Sequence, residues 1–201
     1  MKRILFLGLL ALSTVAIPAH ATVISFSAVL SGAAESPPNS SPGTGTAGVT
    51  YDSVLRTLLV QVVFSGLVGT TAAGAPSGTT ASHIHCCTAL PGVANAGVAT
   101  EVPFFNSFPI GVTAGSYVHL FDLTSATSWN PAFITNNGGT LASAETAFIA
   151  GMIAGRSYLN IHSNAFPAGE IRGFLVPEPA TLGLLGLSLA GIGFARRRKA
   201  H

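Results

Sequence analysis

Tyr158-Leu-Asn-Ile-His-Ser-Asn-Ala-Phe-Pro-Ala-Gly-Glu-Ile-Arg-Gly-Phe-Leu175 holds two alternating strand patterns on either side of one turn. Side chains on a strand point to opposite faces in turn, so Leu159 and Ile161 share one face while Tyr158, Asn160 and His162 share the other. Ser163 to Gly169 is the break. Beyond it Ile171 alternates with Glu170 and Arg172, placing an acid and a base on one face, where a salt-bridged ladder with cross-strand partners is expected. Gly173 interrupts the strand before Phe174 and Leu175. Far upstream, Ser82-His83-Ile84-His85 repeats the arrangement of an isoleucine beside histidines.

Outward from this stretch, the two ends of the chain read as targeting segments. Lys2-Arg3, an apolar run from Ile4 to Ile17 and Pro18-Ala19-His20-Ala21 form a secretory signal peptide over residues 1–21, with cleavage expected after Ala21. At the other end Pro177-Glu178-Pro179 leads into an uncharged Leu/Gly/Ala run from Ala180 to Ala195, then Arg196-Arg197-Arg198-Lys199. A soluble helix needs a polar face and this run has none, so a hydrophobic transmembrane helix is expected, its basic tail on the cytoplasmic side. Residues 177–201 resemble the PEP-CTERM sorting signal. That resemblance implies a Gram-negative bacterium, transient anchoring in the inner membrane, and recognition and removal of the tail by an exosortase, leaving the protein at the cell surface or in an extracellular polysaccharide matrix.

Six of the nine Lys and Arg residues lie in these two ends. Between Thr22 and Val176 only Arg56, Arg156 and Arg172 face six acids, Glu35, Asp52, Glu101, Asp122, Glu145 and Glu170. A mildly acidic exported domain carries no basic footprint for nucleic acid. Its roughly 155 residues fit one domain with a real core. The sparse charge leaves a surface of Ser, Thr, Asn, Gly and backbone, suited to neutral polymers such as exopolysaccharide, or to surface proteins.

The chain between the ends reads as an all-β domain over residues 22–176. Ile24, Phe26, Ala28 and Leu30 alternate with serines in a half-buried strand. Leu55 to Ser65 is almost continuously apolar, which predicts a central strand buried on both sides. Val98 to Val102 is a candidate short strand, and Tyr117, His119 and Phe121 share a face of another. Trp129 to Thr140 reads as mostly irregular, and one helix follows, with Ala144, Phe148 and Met152 at four-residue spacing and Gly155 at its end. Many short strands, frequent Gly/Pro turns and one short helix predict a single antiparallel β-sandwich or barrel, immunoglobulin-like or superoxide-dismutase-like.

Three blocks carry a second resemblance: Leu30-Ser-Gly-Ala-Ala-Glu35-Ser-Pro37-Pro38 with Gly43-Thr-Gly45, then His83-Ile84-His85, then Tyr158 to His162 with Phe166-Pro167-Ala-Gly169-Glu170-Ile-Arg172-Gly173. In order and spacing the chain resembles the CHRD domain, named from chordin. The resemblance implies an extracellular β-sandwich-like module. In chordin such modules belong to a secreted binder of growth factors, but the Cys86-Cys87 pair and an extra loop after the histidines set this sequence apart, so only fold and setting carry over.

His83 and His85 lie two apart on a strand and project from one face, where two imidazoles can reach one ion. If the Tyr158–His162 strand is their neighbour, His162 and Asn160 complete a site, and an exported setting suits copper or zinc. The competing possibility is that the imidazoles hydrogen-bond loop carbonyls and fix the Gly-rich connections. His119, between Tyr117 and Phe121, reads as a packed residue. The His-x-His pair is similar to that of copper-zinc superoxide dismutases, yet a full set of further His and Asp ligands is not matched. Cys86 and Cys87 admit three states: a vicinal disulfide, favoured by export, free thiols, or soft metal ligands beside His85. Glu35 has no acid partner in the sequence, and no nucleophile elbow, phosphate loop or dinucleotide fingerprint is present. The sequence therefore predicts an exported non-enzymatic protein with a binding or structural role. The alternative is a copper- or zinc-binding protein, an oxidoreductase in its strongest form.

Overall fold

The computed structural model describes residues 23–178; the leader, Pro179, the apolar run and Arg196, Arg197 and Arg198 lie outside the described residues. Eight strands and two short α-helices follow in order: β1 (Val23–Ser31), β2 (Thr44–Asp52), β3 (Thr57–Ser65), β4 (Thr79–His85), β5 (Gly115–Asp122), α1 (Pro131–Asn136), α2 (Leu141–Ile153), β6 (Tyr158–Ser163), β7 (Ile171–Phe174) and β8 (Val176–Pro177). All pair antiparallel in one sheet of order β4-β6-β7-β1-β2-β3-β5, with β8 beside β1. Among the described residues no helix is long and apolar enough to cross a membrane.

The sheet curls so that alternate residues meet inside. Phe26, Leu30, Val49, Leu58, Val60, Val62 and Phe64 from β1, β2 and β3 share one core with Ile84, Leu159, Ile161 and Ile171 from the far strands. The segment from Ala99 to Val112 bridges the two end strands: Phe105 N–H donates to the Ser82 carbonyl at 3.2 Å, and the Phe105 ring stacks on Tyr117 of β5 at 5.6 Å. Loop packing rather than a strand thus fills the gap between β4 and β5.

Trp129 to Thr140 is not irregular. Asn130 caps Pro131–Asn136, its side chain accepting from Ala132 N–H, and proline sits at the first turn where no donor is needed. Gly138 and Gly139 then take positive φ and turn the chain into α2, whose N-terminus carries a Thr140–Ser143 capping box. Phe148 and Met152 of α2 enter the core with Trp129 and Phe133, the indole lying edge-on to Phe148 at 5.5 Å. Tyr51 and Arg56 both bond Glu145, tying α2 to the β2–β3 turn.

The expectation that Leu55 to Ser65 is buried on both sides is corrected. Leu58, Val60, Val62 and Phe64 are buried, while Gln61 and Val63 face outward and Val63 is 60% exposed. The apolar run reflects valines tolerated on an open face. Val98 and Thr100 form isolated bridges, to His85 and Trp129, rather than a strand.

Candidate metal centre

Strands β4, β6 and β7 bring the histidines together. Register sets His83 opposite Asn160, His85 opposite Tyr158, and Asn160 opposite Arg172. Alternation sends Ile84, Leu159 and Ile161 to the core and leaves His83, His85, Tyr158, Asn160, His162 and Arg172 on the other face. That face is not open to water. Carbonyls of Ala34, Ala94, Ala96, Pro103 and Pro167 accept hydrogen bonds from it, so three loop segments lie across it.

Each histidine has one ring nitrogen tied to a backbone carbonyl: His83 Nε2 to Pro103 O at 2.6 Å, His85 Nδ1 to Ala96 O at 2.9 Å, and His162 Nδ1 to Pro167 O at 2.9 Å. A carbonyl only accepts, so that nitrogen carries the proton and the other, in a neutral ring, is a bare lone pair. His83 Nδ1 and His162 Nε2 are buried without a hydrogen-bond partner. Burial pushes His83 and His85 down to about 4 and lowers His162, against the carbonyl bonds that oppose the shift, so all three rings are neutral at neutral pH.

One ligand nitrogen from each ring lies within 4.8 Å of the others. The edge of a tetrahedral zinc site is about 3.4 Å, so the rings would have to move inward to share one ion. His85 Nε2 faces Asn160 Oδ1 at 3.0 Å. Two acceptors opposed in this way are a mismatch, relieved either by turning the amide over or by a cation that both accept. Ligands on one ion with ~2.1 Å bonds sit about 3.0–3.4 Å apart. The donor set therefore fits a borderline transition metal: three imidazoles fixed from behind by carbonyls, the usual outer support of metal-bound histidine, plus one amide oxygen.

Sequence reasoning missed the outer ring of this layer. Glu35 is 7% exposed and Arg172 3%, their Oε2 and Nε 3.8 Å apart. Burial raises Glu35 to about 7, with Arg172 pulling the other way. Glu35 Oε1 is buried without a partner, and it and Asn160 Nδ2 lie 2.7 and 2.9 Å from where a Gly169 Cβ would stand, so only glycine fits there. Arg172 also donates to Ala94 O and Asn95 Oδ1 and lies over the Tyr158 ring at 4.6 Å, while Tyr158 stacks on His85 at 4.7 Å. The ladder expected of Glu170 and Arg172 with cross-strand partners forms only in part: Arg172 pairs with Glu35, which comes from a turn and not from a strand. Glu170 instead accepts from Ser41 Oγ at 2.7 Å and Val68 N–H at 2.6 Å, and both charges are buried rather than decorating a surface. Glu35 comes from the turn after β1, over 120 residues away in sequence, and no periodicity announces such a partner.

His119 lies between Tyr117 and Phe121, outside the histidine set. The sulfurs of Cys86 and Cys87 face each other at bonding distance against Gly151 of α2, whose hydrogen leaves room for both. Cys86 belongs to the core, on the face opposite His85.

Comparison with curated proteins and with solved structures gives no match. The PEP-CTERM protein-sorting motif matches residues 175–199, which indicates export, processing by an exosortase and cell-surface sorting in Gram-negative bacteria. The CHRD domain matches residues 26–175, so the chain belongs to the CHRD family.

Proposed function

We propose that this protein is a surface-sorted, non-enzymatic CHRD module that binds one copper or zinc ion through His83, His85 and His162, with Asn160 as an oxygen ligand. In the cell-surface or extracellular polysaccharide matrix it acts as a binding or structural component. The observation that supports this most is the matched state of the three rings, each held by a carbonyl on one nitrogen and bare on the other. An imidazole that serves only to fix loops needs the first bond alone; two of these bare nitrogens, on His83 and His162, are buried with no protein donor in reach, as lone pairs turned to a shared ion would be.

When bound, the ion would be held by His83 and His85 of β4 and His162 of β6 and would supply a Lewis-acidic centre. The chain's own residues do the rest. Pro103, Ala96 and Pro167 fix the tautomers, Tyr158 holds the His85 ring by stacking, and Gly169 keeps space for Glu35 and Asn160. With His83 and His85 less than a tenth exposed, the arrangement favours holding an ion over turning over a substrate. Titration of the metal-free domain with Co²⁺ tests it. Tetrahedral ligand-field bands that saturate at one ion and vanish in His83→Ala and His162→Ala are expected; absence of such bands, with unchanged thermal unfolding in Zn²⁺ and Cu²⁺, would contradict it.

A further inference from the structure

The sorting motif begins inside the folded domain. Of the matched residues 175–199, Leu175 is fully buried in the core, Val176 and Pro177 form β8, and Glu178 N–H donates to the Ser25 carbonyl at 2.9 Å. β8 lies on the edge of β1 that β7 leaves free: β7 reaches β1 only at Ser31, whereas Ser27 pairs with Val176 and Phe26 with Pro177. The other edge of β1 is fully occupied by β2. The Pro-Glu-Pro signal is thus entered as an edge strand rather than as a loose tail.

The chemistry of the strand fits that place. In an antiparallel strand N–H groups point alternately to the two sides. Glu178 N–H points at β1, so the Pro177 nitrogen, which has no hydrogen to donate, points away from it. Proline is tolerated in a sheet at just such an outer position, where it also stops further strands from adding. Val23 opens β1 and Glu178 bonds Ser25 beside it, so the first and last described residues lie at the same edge.

We propose that the folded domain withholds the head of its own sorting signal, and that the exosortase takes it only after Val176–Glu178 peel away from β1. A peptidase that binds an extended segment competes with β1 for the same backbone groups, and the domain's fold thereby slows its own release from the membrane. Processing is then coupled to the stability of a two-residue strand, with no effect expected on the histidine layer at the far strands.

The test uses the full chain in a host that carries the processing peptidase. Ser27 and Val176 are register partners on the outward side, so Ser27→Cys with Val176→Cys locks β8 to β1 when oxidised. The cross-linked chain should accumulate as membrane-bound precursor, processed at least several-fold more slowly than either single-cysteine variant, and reductant should restore the rate. Ser27→Pro removes an N–H directed at β8, not at β2, and should be processed faster than wild type. Emission from buried Trp129 reports that each variant is folded. Processing of both variants at the wild-type rate would overturn the proposal.

Discussion

Two halves of one sheet obey the same alternating pattern and end in opposite environments. In β1, β2, β3 and β5 the inner residues are buried and the outer face is open, with Val63 and Val118 60% and 65% exposed and Asp52 and Asp122, at one end, the only charged residues of these strands. In β4, β6 and β7 both faces are covered: Leu159 and Ile161 are fully buried on one side, Asn160 and Arg172 2% and 3% exposed on the other. Val63 and Val118 stand in water, whereas Arg172, His83 and His85 do not. Polarity alternation along a strand thus reports two faces, but the loops decide which face is wet. A buried polar layer must be satisfied or occupied, whereas an open neutral face is under no such constraint.

The largest expected effect erases the difference between the halves. Phe148→Ala opens a cavity in the core that both share, and should cost about 3–5 kcal/mol in urea unfolding, with a single transition retained. Arg172→Met breaks only the polar half. Removing one partner of a buried ion pair costs ~3–5 kcal/mol; because Glu35 can neutralise itself, the lower end is expected. Hydrogen exchange should show faster opening around residues 34–39 and 94–96, which Arg172 ties down, while β2 and β3 keep their protection.

An acid titration sharpens the comparison further, since the buried titrating groups with lowered histidines or a raised acid all sit in the polar half. His83 and His85 fall from 6.5 unfolded to about 4 folded, so the stability they contribute is present above pH 6.5 and lost as pH falls toward 4; His162 acts in the same direction. Glu35 rises from 4.5 to about 7, so its contribution is full below pH 4.5 and lost as pH rises through 7. Three groups outweigh one, and the metal-free domain should gain stability from pH 4.5 to 6.5. Val118→Thr on the open face is the smallest change, expected within about 0.5 kcal/mol of wild type.

Much of this was legible beforehand, for identifiable reasons. Period-two alternation placed Ile24 to Leu30 and Tyr158 to His162 on the faces they occupy, and the spacing of His83 and His85 brought them to one side. The three-histidine set was visible because each residue sits on a strand. Loop carbonyls were expected as imidazole partners and are found, but that they belong to Ala96, Pro103 and Pro167, and that Glu35 joins them, was not legible, because these residues act from loops whose reach no local pattern encodes. β3 misled for a related reason: its valines fit a pleated surface whether or not anything covers them. α1 was hidden in six residues whose only signals are an asparagine cap, a proline and a glycine pair.

The most direct measurement is elemental analysis of the mature domain, Thr22 to Val176, exported to the periplasm and purified without a histidine tag. Near-stoichiometric copper or zinc in the wild type, lost in the His83→Ala, His85→Ala double variant while the fold persists, is the predicted result. A wild-type domain free of both metals, and equally free after incubation with Cu²⁺ or Zn²⁺ and desalting, would contradict it and leave the three imidazoles as fasteners for the loops above them.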